Sequence, residues 1–290
     1  MSYRKRLDDA FKNAPILPLN HYTQYVFFSD CHRGAGNSND NLLKNSNCYG
    51  AALHYYYHYG FHYIEIGDGD ELWENRDITK IMETHSDIFN QLALFIKENR
   101  LYMIYGNHDM VKKMPGFNYP CYPAITFYEG IIFRSEYIEK DLYVTHGHQI
   151  SLLNSVLWRF SRFLVRHLWS SLEGIGVLDP TSAAQNNKKQ EKYSAKYTHY
   201  AIENGCLFMT GHTHRPTLGN DNIPYFNCGS CVHPKCITCI ELCGHTIRLV
   251  KWYESAERSI HFGNIYRLCP PTYPVYVKRE ILAEQNLFDY

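Results

Sequence analysis

Short apolar runs recur along the first two thirds of the chain, and each run ends abruptly in a polar cluster. Runs of this length that are rich in β-branched and aromatic side chains are typical of buried β-strands. The predicted strands are Tyr25–Phe28, Tyr63–Ile66, Leu101–Tyr105, Leu142–Val144 and Leu207–Met209. Helical periodicity occupies the segments between the first three strands, Asn41–Tyr59 and Ile78–Asn99. This alternation of strands and helices favours a layered α/β fold.

The rest of the chain predicts further helices and a β-rich end. Apolar residues recur at helical spacing after the fourth strand, a polar helical segment stops at a glycine, and alternation returns beyond it. The remaining predicted elements are a strand at Ile131–Arg134 that pairs antiparallel with Leu142–Val144, a helix over Ser151–Trp169, a polar helix over about Asn186–Asn204, and β-structure from Pro216 to about Tyr253.

The charges of the chain balance, with 29 Lys and Arg against 29 Asp and Glu. The total charge therefore predicts no attraction to nucleic acid or to an anionic membrane, and any recognition of anions must be local. Met1–Asn20 is mixed and charged, and no segment approaches the roughly 18 apolar residues of a membrane-spanning helix. We expect a protein without a transmembrane segment, located in the cytoplasm.

The chain contains ten cysteines, some of them in closely spaced pairs. In a long chain without a recognisable signal sequence, reduced thiols are the better expectation than disulfides. Cys228-x-x-Cys231 and Cys236-x-x-Cys239, with Cys243 close behind, contain the paired spacing of a structural metal site. Only four residues separate the two pairs, however, and the segment alternates as strands. Buried thiols are the favoured interpretation, and a structural metal remains the alternative.

Polar side chains that could ligate a metal follow every one of the first five predicted strands. A single cluster of this kind is more simply a polar turn after a buried strand. Five clusters that combine carboxylate, carboxamide and imidazole groups exceed what turns require, and these groups suit Mn, Fe or Zn. The clusters are Asp30, His32 and Arg33; Asp68, Asp70 and Glu71; Asn107, His108 and Asp109; His146 and His148; and His212 and His214.

Read together, the clusters form the series D-x-H, G-D-x-x-E, G-N-H-D, H-G-H and G-H-x-H. This series resembles the calcineurin-like metallophosphoesterase superfamily, with all five blocks in the family's order between about Tyr25 and Pro216. The resemblance implies a double β-sandwich flanked by helices and a centre of two divalent metals, with Mn expected and Fe or Zn as alternatives. The implied ligands are Asp30, His32, Asp68 and His214 for one metal, and Asp68, Asn107, His146 and His212 for the other.

In such a centre the two cations share Asp68 and a water whose pKa falls far enough to supply a hydroxide for attack on phosphorus. The resemblance places His108 as the general acid or as a donor to phosphate, with Asp109 fixing its tautomer through a hydrogen bond. Arg33 and His148 adjoin predicted ligands, and we predict that they contact phosphate or support the ligands.

The predicted helix Ser151–Trp169 has an apolar face and a stripe of arginines, Arg159, Arg162 and Arg166. One interpretation is a packed helix whose solvent face is basic. The other is a lid in which apolar residues meet an acyl or aromatic group of the substrate and the arginines bind phosphate.

A helical insertion at residues 151–204, within one domain spanning residues 1–290, is similar to the arrangement in UDP-2,3-diacylglucosamine hydrolases. The chain departs from that group, which typically has Arg at the position of His108 and Asp at the position of His148. The departure argues against the lipid-precursor substrate of that group but leaves the expected phosphoesterase chemistry unchanged.

The resulting prediction is a hydrolase of phosphate esters or anhydrides. Its expected substrate is a phosphorylated small molecule, such as a nucleotide-sugar, or a lipid-linked phosphate, and contact with a membrane surface is an open alternative. A protein phosphatase or nuclease of the same superfamily and an inactive metal-binding scaffold are the rival functions. Nucleic acid is not expected, because no dense basic tract occurs outside the Arg159–Arg166 helix. The full ligand set favours an enzyme over a scaffold.

Overall fold

The computed structural model describes residues 2–37, 39–120, 122–164, 187–255 and 276–290, which form two β-sheets with helices packed against them. The strands are β1 Ile16–Pro18, β2 Gln24–Phe28, β3 His62–Ile66, β4 Leu101–Ile104, β5 Phe127–Tyr128, β6 Gly130–Arg134, β7 Leu142–Thr145, β8 Leu207–Thr210, β9 Tyr225–Asn227, β10 Cys236–Cys243, β11 Thr246–Ser255 and β12 Tyr276–Asn286. The helices are α1 Tyr3–Phe11, α2 Ser46–His58, α3 Ile78–Thr84, α4 Ser86–Lys97, α5 Leu152–Ser155, α6 Trp158–Leu164 and α7 Asn187–Glu203.

The strand order determines where the loops that follow each strand meet. One sheet has seven strands in the order β12-β11-β10-β2-β3-β4-β5, and its neighbours β2, β3 and β4 run parallel. The other has five strands in the order β1-β6-β7-β8-β9, in which β7 and β8 are parallel neighbours. Parallel neighbours present their carboxyl ends at the same edge, where ligands of α/β folds gather.

Alternating side chains of the strands divide the interior into three hydrophobic layers. Between the sheets, Phe27 and Ile64 of the larger sheet pack with Phe133 and Met209 of the smaller one. The outer face of the larger sheet packs against α2, α3 and α4, and that of the smaller sheet against α1 and α7. The predicted α/β fold of two sheets flanked by helices is therefore confirmed.

The five strands predicted ahead of the polar clusters are all present, and Ile131 pairs with Val144 as predicted. The single helix predicted over Ile78–Asn99 is instead two helices, α3 and α4, which meet at His85. The His85 ring is buried and lies 2.8 Å through Nε2 from Asp40 Oδ2. This tertiary contact interrupts a segment whose periodicity alone predicts one continuous helix.

The helix predicted over Ser151–Trp169 also differs from the structure, which contains two short helices, α5 and α6, before residue 165. Residues 165–186 lie outside the described part, so Arg166 and the start of the predicted polar helix are not described. The helices α5, α6 and α7 lie between β7 and β8, while the assignment of residues 151–204 as an insertion in one domain stays a prediction. Within the described ranges, no helix has both the length and the apolarity needed to cross a membrane. The cytoplasmic location likewise stays a prediction.

Candidate metal centre

Hydrogen bonds between main-chain atoms continue beyond the strand ends and bring the polar clusters together. The amide of Asp30 donates to Gly67 O at 3.1 Å, and the amide of His32 donates to Asp68 O at 2.9 Å. On the other sheet, the amide of Gly211 donates to His146 O at 3.2 Å. The loops after β2 and β3 are thus paired, as are the loops after β7 and β8.

Glycines allow these loops to approach each other closely. A Cβ atom at Gly67 would lie 2.7 Å from the amide nitrogen of Gly106 and 2.8 Å from Cβ of His146. A Cβ atom at Gly211 would collide with the hydroxyl of Ser29. Side chains at these two positions would therefore force apart the loops that carry the predicted ligands.

Five of the predicted ligands have a left-handed backbone conformation. Only two other non-glycine residues in the described ranges have positive φ, Asn99 and Lys235. The conformation costs roughly 1–2 kcal/mol in a residue with a side chain, and such strain concentrates at functional sites. The ligands with positive φ are Asp30, His32, Asp68, His212 and His214, with φ between +47° and +64°.

The predicted ligands form two groups that could each hold a metal ion. The first group is Asp30, His32 and His214, and the second is Asp68, His146 and His212. Within each group, one potential ligand atom per residue lies within 4.8 Å of the others. All these residues are buried except His214, which is partly buried. The sequence therefore predicted side chains that the fold brings together in two adjacent sets.

Unpaired polar atoms test whether these residues fit the two metals that the resemblance implies. A buried acceptor or donor left without a partner costs about 1–3 kcal/mol, so such atoms are rare in folded proteins. Many of the unpaired buried atoms in the described residues belong to the predicted ligands. They are Asp30 Oδ1, His32 Nε2, Asn107 Oδ1, His146 Nε2 and His212 Nε2.

Two further distances support the same fit. His214 Nε2 lies 3.0 Å from Asp30 Oδ1, and His146 Nε2 lies 3.1 Å from Asp68 Oδ2. Asp30 Oδ1 and His146 Nε2 are nevertheless without a hydrogen-bond partner. Ligand atoms that converge on a shared cation have this arrangement, so the residues fit a pair of metal ions.

Contacts of the second ring nitrogen orient two of the ligand imidazoles. Nδ1 of His32 lies 2.9 Å from Glu71 Oε2, and Nδ1 of His146 lies 2.8 Å from the carbonyl oxygen of Ile66. These contacts occupy Nδ1 and leave Nε2 to face the cluster, as is usual for metal-binding histidines. Burial and the neighbouring His146 lower the pKa of His212 to about 3, which keeps His212 in the neutral form that metals bind.

His108 pairs with Glu71, which corrects the predicted pairing with Asp109. Nδ1 of His108 lies 3.0 Å from Oε1 and 2.8 Å from Oε2 of Glu71, and its ring stacks on Trp73 at 4.3 Å. Burial alone would lower the pKa of His108, but the carboxylates of Glu71 and Asp68 outweigh it and raise the pKa to about 10. The side chain remains 22% exposed, so a substrate can reach it.

Asp109 instead holds the backbone of two ligand-bearing loops. Its carboxylate accepts hydrogen bonds from the amides of Gly106 at 2.6 Å and Gly69 at 3.0 Å, and from Lys112 Nζ at 2.6 Å. Asp109 makes these contacts because its carboxylate is completely buried, and main-chain donors and an ammonium group must compensate its charge there.

Arg33 also differs from its predicted role as a contact for phosphate. Its side chain is fully buried, and its guanidinium lies 2.7 Å from Asp70 Oδ1 and 2.8 Å from Glu65 Oε2. These ion pairs leave Arg33 unavailable to a substrate. His148 is buried beside the second group, with its ring 5.6 Å from that of His146, and burial and His146 lower its pKa well below the usual value.

Sequence reasoning missed the roles of Glu71 and Lys112. Glu71 stands inside the G-D-x-x-E motif, so its position could have identified it as the partner of the two nearby imidazoles. Lys112 belongs to no motif and follows Asp109 in a segment whose lysines predict exposure, yet its side chain is fully buried. Only the tertiary structure reveals it.

The predicted arginines Arg159 and Arg162 lie on α6, around the buried Trp158. Their guanidinium carbons are 5.5 Å and 4.9 Å from the centroid of its ring, and Lys113 Nζ is 5.7 Å away. Partial burial and the charges of Arg159 and Arg76 lower the pKa of Arg162. Trp158 packs with Tyr105 and Met110, the residues that flank the G-N-H-D motif. We call this set of three cations around Trp158 the α6 cationic cluster.

Apart from the buried Trp158, most apolar side chains described in α5 and α6 are exposed rather than packed. A simple packed helix would bury them, so the described residues do not match that interpretation of the segment. Phe160 and Phe163 are 56% and 58% exposed. The other exposed apolar side chains here are Leu152 and Leu153 of α5, and Val156 and Leu157 of the link between the two helices.

Three of the four paired cysteines lie in the hydrophobic core. Cys228, Cys231 and Cys239 are buried, whereas Cys236 and Cys243 are partly buried. Burial raises the pKa of each of these thiols. Their placement among apolar side chains matches the favoured interpretation of buried, reduced thiols.

Comparison with known proteins gave structural matches alone, since no family model and no curated protein matches the sequence. A predicted phosphoesterase from Streptococcus pneumoniae is 15% identical, with 80% of this chain and 89% of that chain covered and a TM-score of 0.35. A dimetal phosphatase from Danio rerio is 10% identical, with 79% and 96% covered and a TM-score of 0.43. A cold-active protein tyrosine phosphatase is 14% identical, with 84% and 81% covered and a TM-score of 0.37. At TM-scores below 0.5, we base no conclusion about activity on these likenesses.

Proposed function

We propose that this chain is a hydrolase of phosphate esters or anhydrides that works with two divalent metal ions. One observation carries the proposal: two adjacent groups of three ligands contain buried atoms without hydrogen-bond partners, and five of the six ligands have backbone strained into the left-handed region. Strain and unpaired polar atoms both cost stability, and a metal-binding function accounts for both.

The proposed ligand sets follow the groups. Asp30, His32 and His214 hold one metal, and Asp68, His146 and His212 hold the other, with Asn107 completing the second set and Asp68 shared between the two. When bound, the two cations would neutralise the phosphoryl oxygens and lower the pKa of the attacking water. Mn is the metal we propose, with Fe and Zn as alternatives that suit the same carboxylate and imidazole ligands.

The proposed general acid is His108. It carries a proton on Nε2 because Glu71 and Asp68 raise its pKa, and Glu71 fixes its ring through Nδ1. Such an imidazolium can donate the Nε2 proton to the leaving oxygen as the bond to phosphorus breaks. Trp73 stacks on the ring and limits its rotation.

The α6 cationic cluster is the proposed recognition element for a phosphorylated small molecule or a lipid-linked phosphate. It lies on the residues that flank the G-N-H-D motif, so an anionic group of the substrate can reach it while another phosphate occupies the metal centre. The exposed apolar side chains of α5 and α6 continue this surface and suit an acyl or aromatic group of the substrate, or contact with a membrane surface.

Hydrolysis of 4-nitrophenyl phosphate and bis(4-nitrophenyl) phosphate by metal-stripped protein, before and after addition of Mn²⁺, tests the proposed function. We expect activity to return together with about two bound metals per chain. Two bound metals without hydrolysis of these esters, of nucleotide-sugars or of phosphopeptides would leave a metal-binding scaffold. Failure to bind any metal would overturn the proposal.

A further inference from the structure

A group of three carboxylates adjoins the loops that carry the proposed metal ligands. Carboxylate oxygens of Glu65, Asp70 and Asp109 lie within 4.8 Å of one another, and all three side chains are buried. Like charges this close are strongly destabilising in the interior unless cations compensate them. A group of this composition could hold a metal ion, but side chains of the chain itself occupy it.

Lys112 is the central cation of this group. Its ammonium lies 2.6 Å from Asp109 Oδ2, 2.9 Å from Asp70 Oδ2 and 3.5 Å from Glu65 Oε1, and the four side chains are fully buried. Arg33 supplies the second cation, paired with Asp70 and Glu65. Three carboxylates therefore face two cations, and the loss of either cation leaves a large excess of negative charge in the interior.

The carboxylate group is linked to both ligand-bearing loops. Asp109 accepts hydrogen bonds from the amides of Gly69 and Gly106, which adjoin the proposed ligands Asp68 and Asn107. Asp70 follows two residues after Asp68 in the same loop. Any shift of Asp109 or Asp70 would therefore move the backbone that presents these two ligands.

We propose that Lys112 is a positioning residue of the metal centre: its ammonium occupies the carboxylate group in place of a free cation and so fixes the loops that carry Asp68 and Asn107. This inference rests on the proposed function. Lys112 touches neither a substrate nor a proposed ligand side chain. Its effect passes through Asp109 and Asp70.

The variant Lys112→Met removes the charge and keeps much of the side-chain volume. Groups that support metal ligands typically contribute about 10–100-fold in metal affinity or activity. We therefore expect Mn²⁺ affinity of the weaker site and kcat to fall by at least about tenfold each, while KM for 4-nitrophenyl phosphate changes little. Binding isotherms, bound-metal analysis and steady-state kinetics measure these quantities.

Arg279→Met is the control for the loss of a cation that pairs with a buried carboxylate. Arg279 pairs with the buried Glu241 at 2.5 Å, on β12 at the edge of the seven-stranded sheet. We expect this variant to lose thermal stability but to keep both metals and its kcat. A merely structural role of Lys112 would give the same result, so equal behaviour of the two variants would overturn the inference.

The double variant Lys112→Met/Asp70→Asn keeps the inference testable where the single variant does not fold. It removes one positive and one negative charge together, and the asparagine oxygen can still accept the hydrogen bond from Arg33 Nε. We expect the double variant to fold and to bind Mn²⁺ more tightly than Lys112→Met. If Lys112→Met is unfolded, we expect the Mn²⁺ affinity of the double variant to lie within about tenfold of that of the unaltered chain. A folded double variant without metal binding would contradict the charge-balance argument.

The outcomes also separate the inference from the proposed function. If the unaltered chain binds no metal, the two fall together. If it binds two metals and Lys112→Met binds them equally well with unchanged kcat, the inference alone is overturned.

Discussion

Nδ1 of His108 lies 2.8 Å from Oε2 of Glu71, so a carboxylate in the loop after the neighbouring strand β3 orients the proposed general acid. The same carboxylate lies 2.9 Å from Nδ1 of His32, a proposed metal ligand. Glu71 thus couples the acid to the first ligand group. This arrangement makes the orientation of His108 dependent on the G-D-x-x-E loop rather than on its own neighbour Asp109.

The leaving group determines how much His108 contributes. We expect His108→Ala to lower kcat about 100-fold for phenyl phosphate, whose leaving oxygen needs a proton, and much less for 4-nitrophenyl phosphate. Bound metal should stay near the level of the unaltered chain. Parallel kinetics with the two esters and metal analysis check this, and a loss of both metals would mean that His108 has a structural role.

Glu71→Gln should reproduce part of the His108→Ala effect. With metal bound to saturation, the ratio of kcat for 4-nitrophenyl phosphate to kcat for phenyl phosphate in His108→Ala/Glu71→Gln should be little larger than in His108→Ala alone, because Glu71 acts on the leaving group through His108. The exposed Glu83→Gln on α3 is the control and should leave the kinetics unchanged. Fully additive losses would contradict the proposed pairing.

The two ligand groups should bind metal ions as separate sites. His32→Ala removes a ligand of the first group and His146→Ala a ligand of the second, so we expect each variant to retain about one metal. Asp68→Asn should abolish metal-dependent activity, because a shared ligand and its charge disappear together. Metal analysis after dialysis measures the stoichiometry, and retained activity in Asp68→Asn would refute the proposed centre.

Backbone strain at the ligands predicts that a Gly variant is more stable than an Ala variant at a strained position. At His212, with φ of +64°, we expect the metal-free Gly variant to be more stable than the Ala variant by about 1 kcal/mol. At His146, whose φ is not positive, the order should reverse. Urea unfolding of the four metal-free variants measures the difference, and a uniform order at both positions would refute the role of strain.

The α6 cationic cluster should discriminate between substrates. We expect Arg162→Met to raise KM about tenfold for a substrate with a second anionic group, with little change in kcat, and to leave 4-nitrophenyl phosphate hydrolysis unaffected. Arg4→Met on α1, where Arg4 pairs with the exposed Glu203, is the matched control. Equal effects on both substrates would contradict a role in recognition.

Much of the site could be predicted because its chemistry follows the strand ends. Polar ligands after apolar strands are visible in sequence, and parallel strand order brings them together. The break at His85 and the burial of Lys112 were not predictable, because His85 contacts Asp40, and Lys112 contacts Asp70 and Glu65 in addition to the nearby Asp109. Local periodicity contains no information about such partners.

Some elements carry too weak a sequence pattern to predict. The strand β1 has three residues, and its pairing with β6 depends on a parallel partner more than one hundred residues away. The helix α1 is capped by Ser2, whose hydroxyl accepts a hydrogen bond from the amide of Lys5, but the mixed composition of Met1–Asn20 obscures the helix. These elements form because the completed sheets offer them a surface.

The left-handed conformations of five ligands also bear on how much protein a cell can maintain. At about 1 kcal/mol each, they remove several kcal/mol from a folding stability that is typically only about 5–15 kcal/mol. Metal binding restores this loss, because a ligand that binds only the folded chain shifts the folding equilibrium. Starvation for divalent metal would then reduce the abundance of the protein through proteolysis of the unfolded chain, in addition to silencing its activity.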